Sequence, residues 1–304
     1  MCHFIVIDHR LNTFLTLCEL KNYTKTAKKL FITQPAVSQQ IKYLEKHYGV
    51  NLFKYEGKNL ILTPAGKELH SFILTLVNDC EKITQQLSNN TQNPSFKFGS
   101  TLTIGQYVMP DIIEYILKEN QHTSLSMIVD NTSALLKLLN EGKIDFAIIE
   151  GNFNKSEYSY ELFSMEDFIG ICHPQSKYSK ELYSLDDLFN ETLILREKGS
   201  GTRDVFEQLL YEQNLCIDSF KSVCEIGSLP AILSLVSSNC GISFMYKRAA
   251  QSSINSNHIS IINIKGLPIK REFNFVWLKN SRFAYLYNDF FETCRYFNSK
   301  KSLQ

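Results

Sequence analysis

Residues 23–44, YTKTAKKLFITQPAVSQQIKYL, decide the fold. They read as two short helices joined by a tight turn. The first takes residues 24–30, with Thr24 as its N-cap and Ala27 and Leu30 facing inward. Phe31 and Ile32 make the turn. Thr33 caps the second helix, and Pro35 sits in its first turn, where a missing N–H costs nothing. Val37, Ile41 and Leu44 fall at i, i+4 and i+7 on one apolar face. The other face carries Gln34, Ser38, Gln39 and Lys42. These side chains can hydrogen-bond to base edges, with a cation for phosphate, as a helix lying in a major groove requires. Ala27 is small, as a steep helix crossing needs.

The bland alternative is a helical hairpin with a solvated polar face, and the flanking sequence argues against it. Residues 11–20 supply a preceding apolar helix (Leu11, Phe14, Leu15, Cys18). After the hairpin come Leu52 and Phe53, a Gly57-containing turn, and Leu60, Ile61 and Leu62, which together read as a β-hairpin. Helices followed by such a hairpin form a winged helix-turn-helix.

The run AKKLFITQPAVSQQIKYLEKHYGVNLFKYEGKNLILTPAGKEL (27–69) resembles the DNA-binding domain of LysR-type transcriptional regulators. The resemblance implies an α/β chain with an N-terminal winged helix-turn-helix, a long linker helix, and a two-lobed α/β periplasmic-binding-protein-like effector domain. On that pattern the DNA contacts fall to Thr33, Gln34, Pro35, Ser38, Gln39, Lys42, Lys54 and Lys58. One position departs. The family usually has Arg where this chain has Tyr55, so a phosphate contact there is lost or passes to Lys54 or Lys58.

Charge is distributed accordingly. Residues 1–66 hold nine Lys/Arg against four Asp/Glu, a net +5, so the remainder carries −4 of the overall +1. A basic module on a mildly acidic body is the layout of a DNA reader joined to something else. The eight cysteines have no C-x-x-C spacing and read as reduced core residues, with a thiol sensor or metal site as the alternative. The opening MCHFIVIDHR is too short, and interrupted by Asp8, to act as a signal peptide. No apolar run approaches the ~20 residues of a membrane span. The expected location is the cytoplasm.

Residues 1–9 read as a lead-in strand or coil, within a DNA-binding domain of residues 1–63. Thr63 and Pro64 start a linker helix (64–90) whose stripe runs through Leu69, Phe72, Ile73, Leu76, Cys80, Ile83 and Leu87. The stripe could be buried against its own domain, but better suits pairing with the same helix of a second chain as a short coiled coil, and the resemblance implies the same dimerisation. Residues 89–95 are a polar hinge. The effector body (91–304) alternates strands and helices. FKFGSTLTI (96–104), SLSMIVD (124–130) and DFAIIEG (145–151) read as strands. GQYVMPDIIEYILKEN (105–120) and SALLKLLNEG (133–142) read as helices between them. A second set of strands is DFIGICH (167–173), ETLILR (191–196), KSVCEI (221–226) and GISFMY (241–246), with helices at 202–213 and 229–238. The strand REFNFVWL (271–278) and a final helix (282–297) close the chain. Lobe I is expected at 95–165 and 268–304, and lobe II at 166–267.

Ligands in open α/β sheets bind beyond the carboxyl ends of strands. The polar strand ends are Ser100, Thr101 and Thr103; Asn131 and Thr132; Gly199, Ser200, Gly201, Thr202 and Arg203; and Gly227 and Ser228. The GSGTR run offers backbone N–H groups at a helix start, hydroxyl donors and a cation, a set suited to a small anion. The alternative is that these residues only cap the following helix. Glu150 and Glu197 oppose an anion if they point into the cleft, or else hold basic partners or accept from the ligand. The GSTLTIGQYVMP and REKGSGTR segments most resemble the family branch that regulates sulfur assimilation and sulfite reduction.

The leading expectation is thus a DNA-binding transcription regulator, not an enzyme. Its partners would be promoter DNA, a small anionic effector bound between the lobes, a second or further copies of the chain, and RNA polymerase. No cofactor is expected. Two other classes compete: a solute-binding protein, against which the basic module argues, and an enzyme using the cleft. Only His173, at a strand end before Pro174, could be considered for catalysis, and it reads instead as a partly exposed turn histidine.

Overall fold

A computed structural model describes residues 8–88, 95–119 and 124–301. The chain divides into two compact units. One contains the described residues up to 88, with residues 140–143 and 278–285; the other contains the rest.

In the first unit, α1 (His9–Leu20) starts at Asp8, whose carboxylate accepts from the Arg10 N–H at 2.8 Å. Helix α2 (Tyr23–Leu30) begins one residue before the expected start, and its N-cap is Asn22, not Thr24. Asn22 has extended backbone and its side chain accepts from the Lys25 N–H at 2.9 Å, so Thr24 is already helical. Helix α3 (Gln34–Tyr48) is capped by Thr33 as the sequence suggests. The wing is β1 (Phe53–Glu56) paired antiparallel with β2 (Asn59–Leu62). Phe14, Leu17, Ala27, Val37, Ile41, Leu44, Leu52 and Leu60 form one buried cluster, so three helices and the wing share a core. Helix α4 (Pro64–Ser88) is capped by the Thr63 hydroxyl, which accepts from the Gly66 N–H at 3.0 Å.

The α4 stripe splits. Ile73 is buried in the winged-module core, with Leu69 packed beside it. Phe72 and Leu87 are exposed and Leu76 is partly so. The 278–285 segment fastens to the same helix. Thr75 Oγ1 donates to the Lys279 carbonyl at 3.0 Å, and Asp79 accepts from Ser281 Oγ and the Arg282 N–H at 2.8 and 2.7 Å.

The second unit is an α/β body. Its strands are β3 (Ser95–Ser100), β4 (Ser124–Val129), β5 (Phe146–Glu150), β6 (Tyr158–Cys172), β7 (Thr192–Leu195), β8 (Ser222–Glu225), β9 (Ser243–Tyr246), β10 (Ser260–Ile262) and β11 (Ile269–Leu278). Its helices are α5 (Leu102–Tyr107), α6 (Met109–Glu119), α7 (Thr132–Asn140), α8 (Gly201–Glu212), α9 (Leu229–Ser237), α10 (Lys247–Asn255) and α11 (Ala284–Lys301). The main sheet has the order β10-β6-β11-β5-β3-β4, with β9 also on β6. Strand β3 runs parallel to β4 and β5, while β11 returns antiparallel to β5. A parallel β7–β8 pair joins it through a bridge from Leu193 to Ile242.

One lobe's core is aromatic: Phe98, Phe146, Phe275 and Phe290 stack between sheet and α11, with Phe146 and Phe275 centroids 4.5 Å apart. The other is aliphatic, built on Ile169, Ile171, Ile194, Ile232, Val236 and Met245. Strand β6 runs through the expected lobe boundary at 165–166 and belongs to both.

Two expectations fail here. The 96–104 run is not one strand. Strand β3 stops at Ser100, Thr101 N–H donates to the Ile148 carbonyl, and Gly105 N–H returns to the Thr101 carbonyl at 2.7 Å, opening α5. Thr103 is therefore helical, and the polar alternation that suggested a strand face serves a helix instead. The cysteines are not uniformly core. Cys18, Cys172 and Cys294 are buried, whereas Cys216, Cys224 and Cys240 are exposed. Burial pushes the Cys172 thiol up to about 11, and those of Cys18 and Cys294 further. Among the described residues no helix is long and apolar enough to cross a membrane.

Candidate DNA-reading face and effector site

On α3 the apolar and polar faces separate cleanly. Val37, Ile41 and Leu44 are buried, while Gln34, Pro35, Gln39 and Lys42 are exposed and Ser38 is half-buried. The neighbouring Gln40 is committed elsewhere, since its side-chain oxygen accepts from Thr13 Oγ1 at 2.6 Å. That bond ties α3 to α1 and leaves Gln39 as the outward amide. Glu45 Oε1 accepts from the Leu52 and Phe53 N–H groups at 2.9 and 3.4 Å, fastening helix to wing. On the wing, Lys58 is exposed at the hairpin turn and Tyr55 is 65% exposed. Lys54 Nζ lies 2.7 Å from Glu56, so a phosphate would have to compete with that carboxylate. Thr33 acts on the backbone as a cap, its Oγ1 3.3 Å from the Ala36 N–H.

In the body, the second cluster centres on Glu150. Its residue is 1% exposed, at the carboxyl end of β5. Thr202 Oγ1, in the first turn of α8, donates to Glu150 Oε1 at 2.7 Å, and Thr132 Oγ1 donates to the Glu150 carbonyl at 2.7 Å. Backbones meet closely here. A β-carbon on Gly201 would come within 2.4 Å of the Glu150 carbonyl oxygen, and one on Gly151 within 2.5 Å of Gly201 Cα. Gly201 therefore serves close approach rather than an open N–H cradle.

Around this contact lie buried polar atoms without hydrogen-bond partners: Thr101 Oγ1, Glu150 Oε2, Arg196 Nη1 and Ser200 Oγ. The Thr103 and Tyr246 hydroxyls are also buried, beside Glu150 and the Gly151 backbone, without closing a well-formed hydrogen bond. Burial raises the Glu150 pKa, against the opposing pull of Thr202, Thr103 and Arg196, and favours the neutral acid. Burial likewise holds Tyr246 protonated. For Glu197, burial is outweighed by two hydrogen bonds from Arg196, at 2.7 and 2.8 Å, which lower its pKa. Glu197 is thus the basic-partner case foreseen for it.

The cation expected for an anion, Arg203, already has partners within the fold. Arg203 donates to Glu207, Glu225 and the Arg196 carbonyl, at 2.6, 2.5 and 3.1 Å, and its charge is used to brace α8. Arg196, at the carboxyl end of β7, is 3% exposed and keeps Nη1 unpartnered next to Glu150. Its place at a strand end was the available signal. Tyr246 was missed because its strand reads as pure core. Ser200 occupies the α8 N-cap position without a side-chain cap bond, so its hydroxyl is not used in capping.

The remaining expected residues lie further out. The Asn131 side chain caps α7 through the Ala134 N–H at 2.9 Å. Gly199, at φ +88°, faces Asn131 and Ser133. Ser228 caps α9, and Gly227 lies beside the Glu197 carboxylate. Ser100 is fully buried, its hydroxyl 3.4 Å from the Thr101 carbonyl. His173 Nδ1 accepts from the Gln175 N–H at 3.2 Å, within its turn. Among the described residues no cluster of His, Cys, Asp or Glu could hold a metal ion.

Residues 9–67 match the bacterial regulatory helix-turn-helix family of lysR type, and residues 89–298 match the LysR substrate-binding domain. The chain belongs to the LysR family of transcriptional regulators. It is 30% identical over 270 residues to the HTH-type transcriptional regulator CysL of Bacillus subtilis, covering 88% of this chain and 89% of that one. The HTH-type regulator YeiE of Escherichia coli is 25% identical, covering 92% of each. An H2O2-bound cysteine-to-serine mutant of Corynebacterium glutamicum OxyR shares the fold with a TM-score of 0.62 at 23% identity, over 98% of this chain and 94% of that one. The CcmR regulatory domain of Synechocystis PCC6803, in complex with 2-PG, gives 0.60 at 21% identity, over 66% and 95%. The protein is thus a DNA-binding transcription regulator with an effector-binding domain.

Proposed function

We propose that this regulator reads promoter DNA through the Gln34, Ser38 and Gln39 face of α3, with Thr33, Pro35, Lys42, Lys54 and Lys58 beside the phosphates, and that its effector is a small oxyanion or carboxylate. The observation that carries the effector reading is the set of unpartnered buried atoms around Glu150. Arg196 Nη1 and the Ser200 and Thr101 hydroxyls are donors, and each costs free energy until a ligand accepts from it. Burial pushes Glu150 toward its neutral form and Arg196 is paired to Glu197, and the hydroxyl donors beside them favour a guest of negative charge. CcmR with 2-PG and OxyR with H2O2 both hold small molecules, and likeness to CysL favours the sulfur branch of the family.

The domain division follows the same reading: a DNA-binding domain to residue 63, a linker helix from 64 to 90, and an effector domain from 91. The exposed Phe72, Leu76 and Leu87 of α4 form the pairing face for a second copy, in a cytoplasmic homo-oligomer. No cofactor enters the mechanism. Effector binding would shift the balance between two arrangements of the DNA-binding domains, by as much as its affinities for the two differ. The test is anisotropy titration of a duplex enriched by the protein from a random-sequence pool, with sulfate, sulfite, thiosulfate, phosphate, O-acetylserine or simple carboxylates added. One compound should change DNA affinity at least fivefold, and the change should vanish in Ser200→Ala. If no compound in the panel shifts DNA binding, the oxyanion reading fails.

A further inference from the structure

Phe31 is the most exposed large hydrophobic side chain among the described residues, at 95%. It stands at the turn between α2 and α3, two residues before the Thr33 cap, with left-handed backbone at φ 57°. Bulky residues seldom adopt that conformation. Asn or Gly would hold the same turn with less strain, and both are common there. The turn is held by backbone bonds, the Phe31 N–H donating to the Ala27 and Lys28 carbonyls and the Ile32 N–H to Ala27. The ring itself contributes nothing to the buried core of this unit. A strained aromatic held in solvent points to a use outside the folded chain.

Its neighbours indicate which use. Lys28 precedes it, exposed, and Gln34 and Pro35, both exposed, follow at the start of α3. The ring stands in the turn that leads into the helix assigned to the major groove, where an apolar group can meet the C5-methyl of thymine. We propose that Phe31 is a specificity-determining residue that contacts a thymine methyl at the edge of the half-site. This rests on reading α3 as the recognition helix.

The test uses the full chain and a duplex enriched from a random-sequence pool by the wild-type protein. Phe31→Gly and Phe31→Asn should melt no lower than wild type, because both tolerate the left-handed turn. They should bind the enriched duplex five- to twentyfold more weakly, with non-specific duplex unaffected. The slope of log affinity against log salt should not change, because no phosphate contact is lost. Phe31→Tyr should stay within twofold of wild type. Replacing one thymine of the half-site by deoxyuridine should weaken wild type at least threefold and leave Phe31→Gly indifferent. Affinity of Phe31→Gly within twofold of wild type would overturn the inference, as would a salt slope reduced by about one or a loss that no single uracil reproduces. Unchanged DNA binding with lost promoter response would also overturn it, assigning the ring to a protein partner. Gln39→Ala runs in parallel. If it relaxes sequence preference while Phe31→Gly does not, only the Phe31 inference falls. If neither variant alters specificity, the recognition-helix reading falls with it.

Discussion

Thr202 Oγ1 donates to the buried carboxyl of Glu150 at 2.7 Å, tying the first turn of α8 to the end of β5. The bond joins an element of one lobe to an element of the other where the Glu150–Gly151 and Gly201 backbones approach closely. A ligand entering beside it would be reported in both lobes at once.

The raised Glu150 pKa makes stability fall with pH. The folded chain holds this proton at pH values where the unfolded chain, with its carboxyl near 4.5, has lost it. The contribution is complete below that value and is lost as pH rises toward the folded-state pKa. Urea unfolding followed from pH 5 to 8 should therefore show wild type losing stability relative to Glu150→Gln. Parallel pH dependences in the two proteins would contradict the assignment.

Gly201→Ala sets a β-carbon against the Glu150 carbonyl oxygen at 2.4 Å. Backbone cannot yield as a side-chain tip can, so the expected cost is about 1–3 kcal/mol. Chemical denaturation measures it directly, and a neutral substitution would mean that the two segments do not meet in solution.

Arg196→Met leaves the partly buried Glu197 carboxylate without its two hydrogen bonds. Because Glu197 retains some solvent, the expected loss is about 1–3 kcal/mol, short of that for a fully buried pair. Arg203→Met should also destabilise, through the loss of Glu207 and Glu225, while leaving effector affinity unchanged. Calorimetric titration of both variants separates the bracing arginine from the binding one.

Much of the winged module was legible because its local signals agree. The Thr33 cap, Pro35 in the first turn, the Val37–Ile41–Leu44 face and the Gly57 turn each specify the same structure. Thr24 misled because Asn22, two residues earlier, caps as well and captures the Lys25 N–H first. In the body, strand ends were found but not their partners. Arg203 has Glu207 one turn along α8, a pair that the spacing allows, but its second carboxylate, Glu225, lies 22 residues away and is brought to it only by the fold. Likewise the alternation at 101–104 fits strand and helix equally well, and the Ile148 carbonyl across the sheet settles it.

On the DNA side, Gln39→Ala should relax preference at one base position by about 1–3 kcal/mol. Lys42→Ala should weaken all duplexes alike and lower the salt slope by about one. Binding to sequence-scanned duplexes at two salt concentrations distinguishes the two patterns.

Association through α4 is expected to depend on its exposed stripe. Leu76→Asp, placed on a side chain that is 39% exposed, should shift the sedimentation coefficient toward that of a single chain while leaving the fold intact. An unchanged coefficient would put the pairing face elsewhere.

The central claim, a small oxyanion held beside Glu150, is tested most directly by thermal unfolding of the purified chain with the same panel of anions. A true effector at a hundred times its dissociation constant stabilises by about 2.7 kcal/mol. Such a shift is expected with one compound, and its loss in both Ser200→Ala and Arg196→Met. A shift that survives both substitutions, or none with any anion, would contradict the claim.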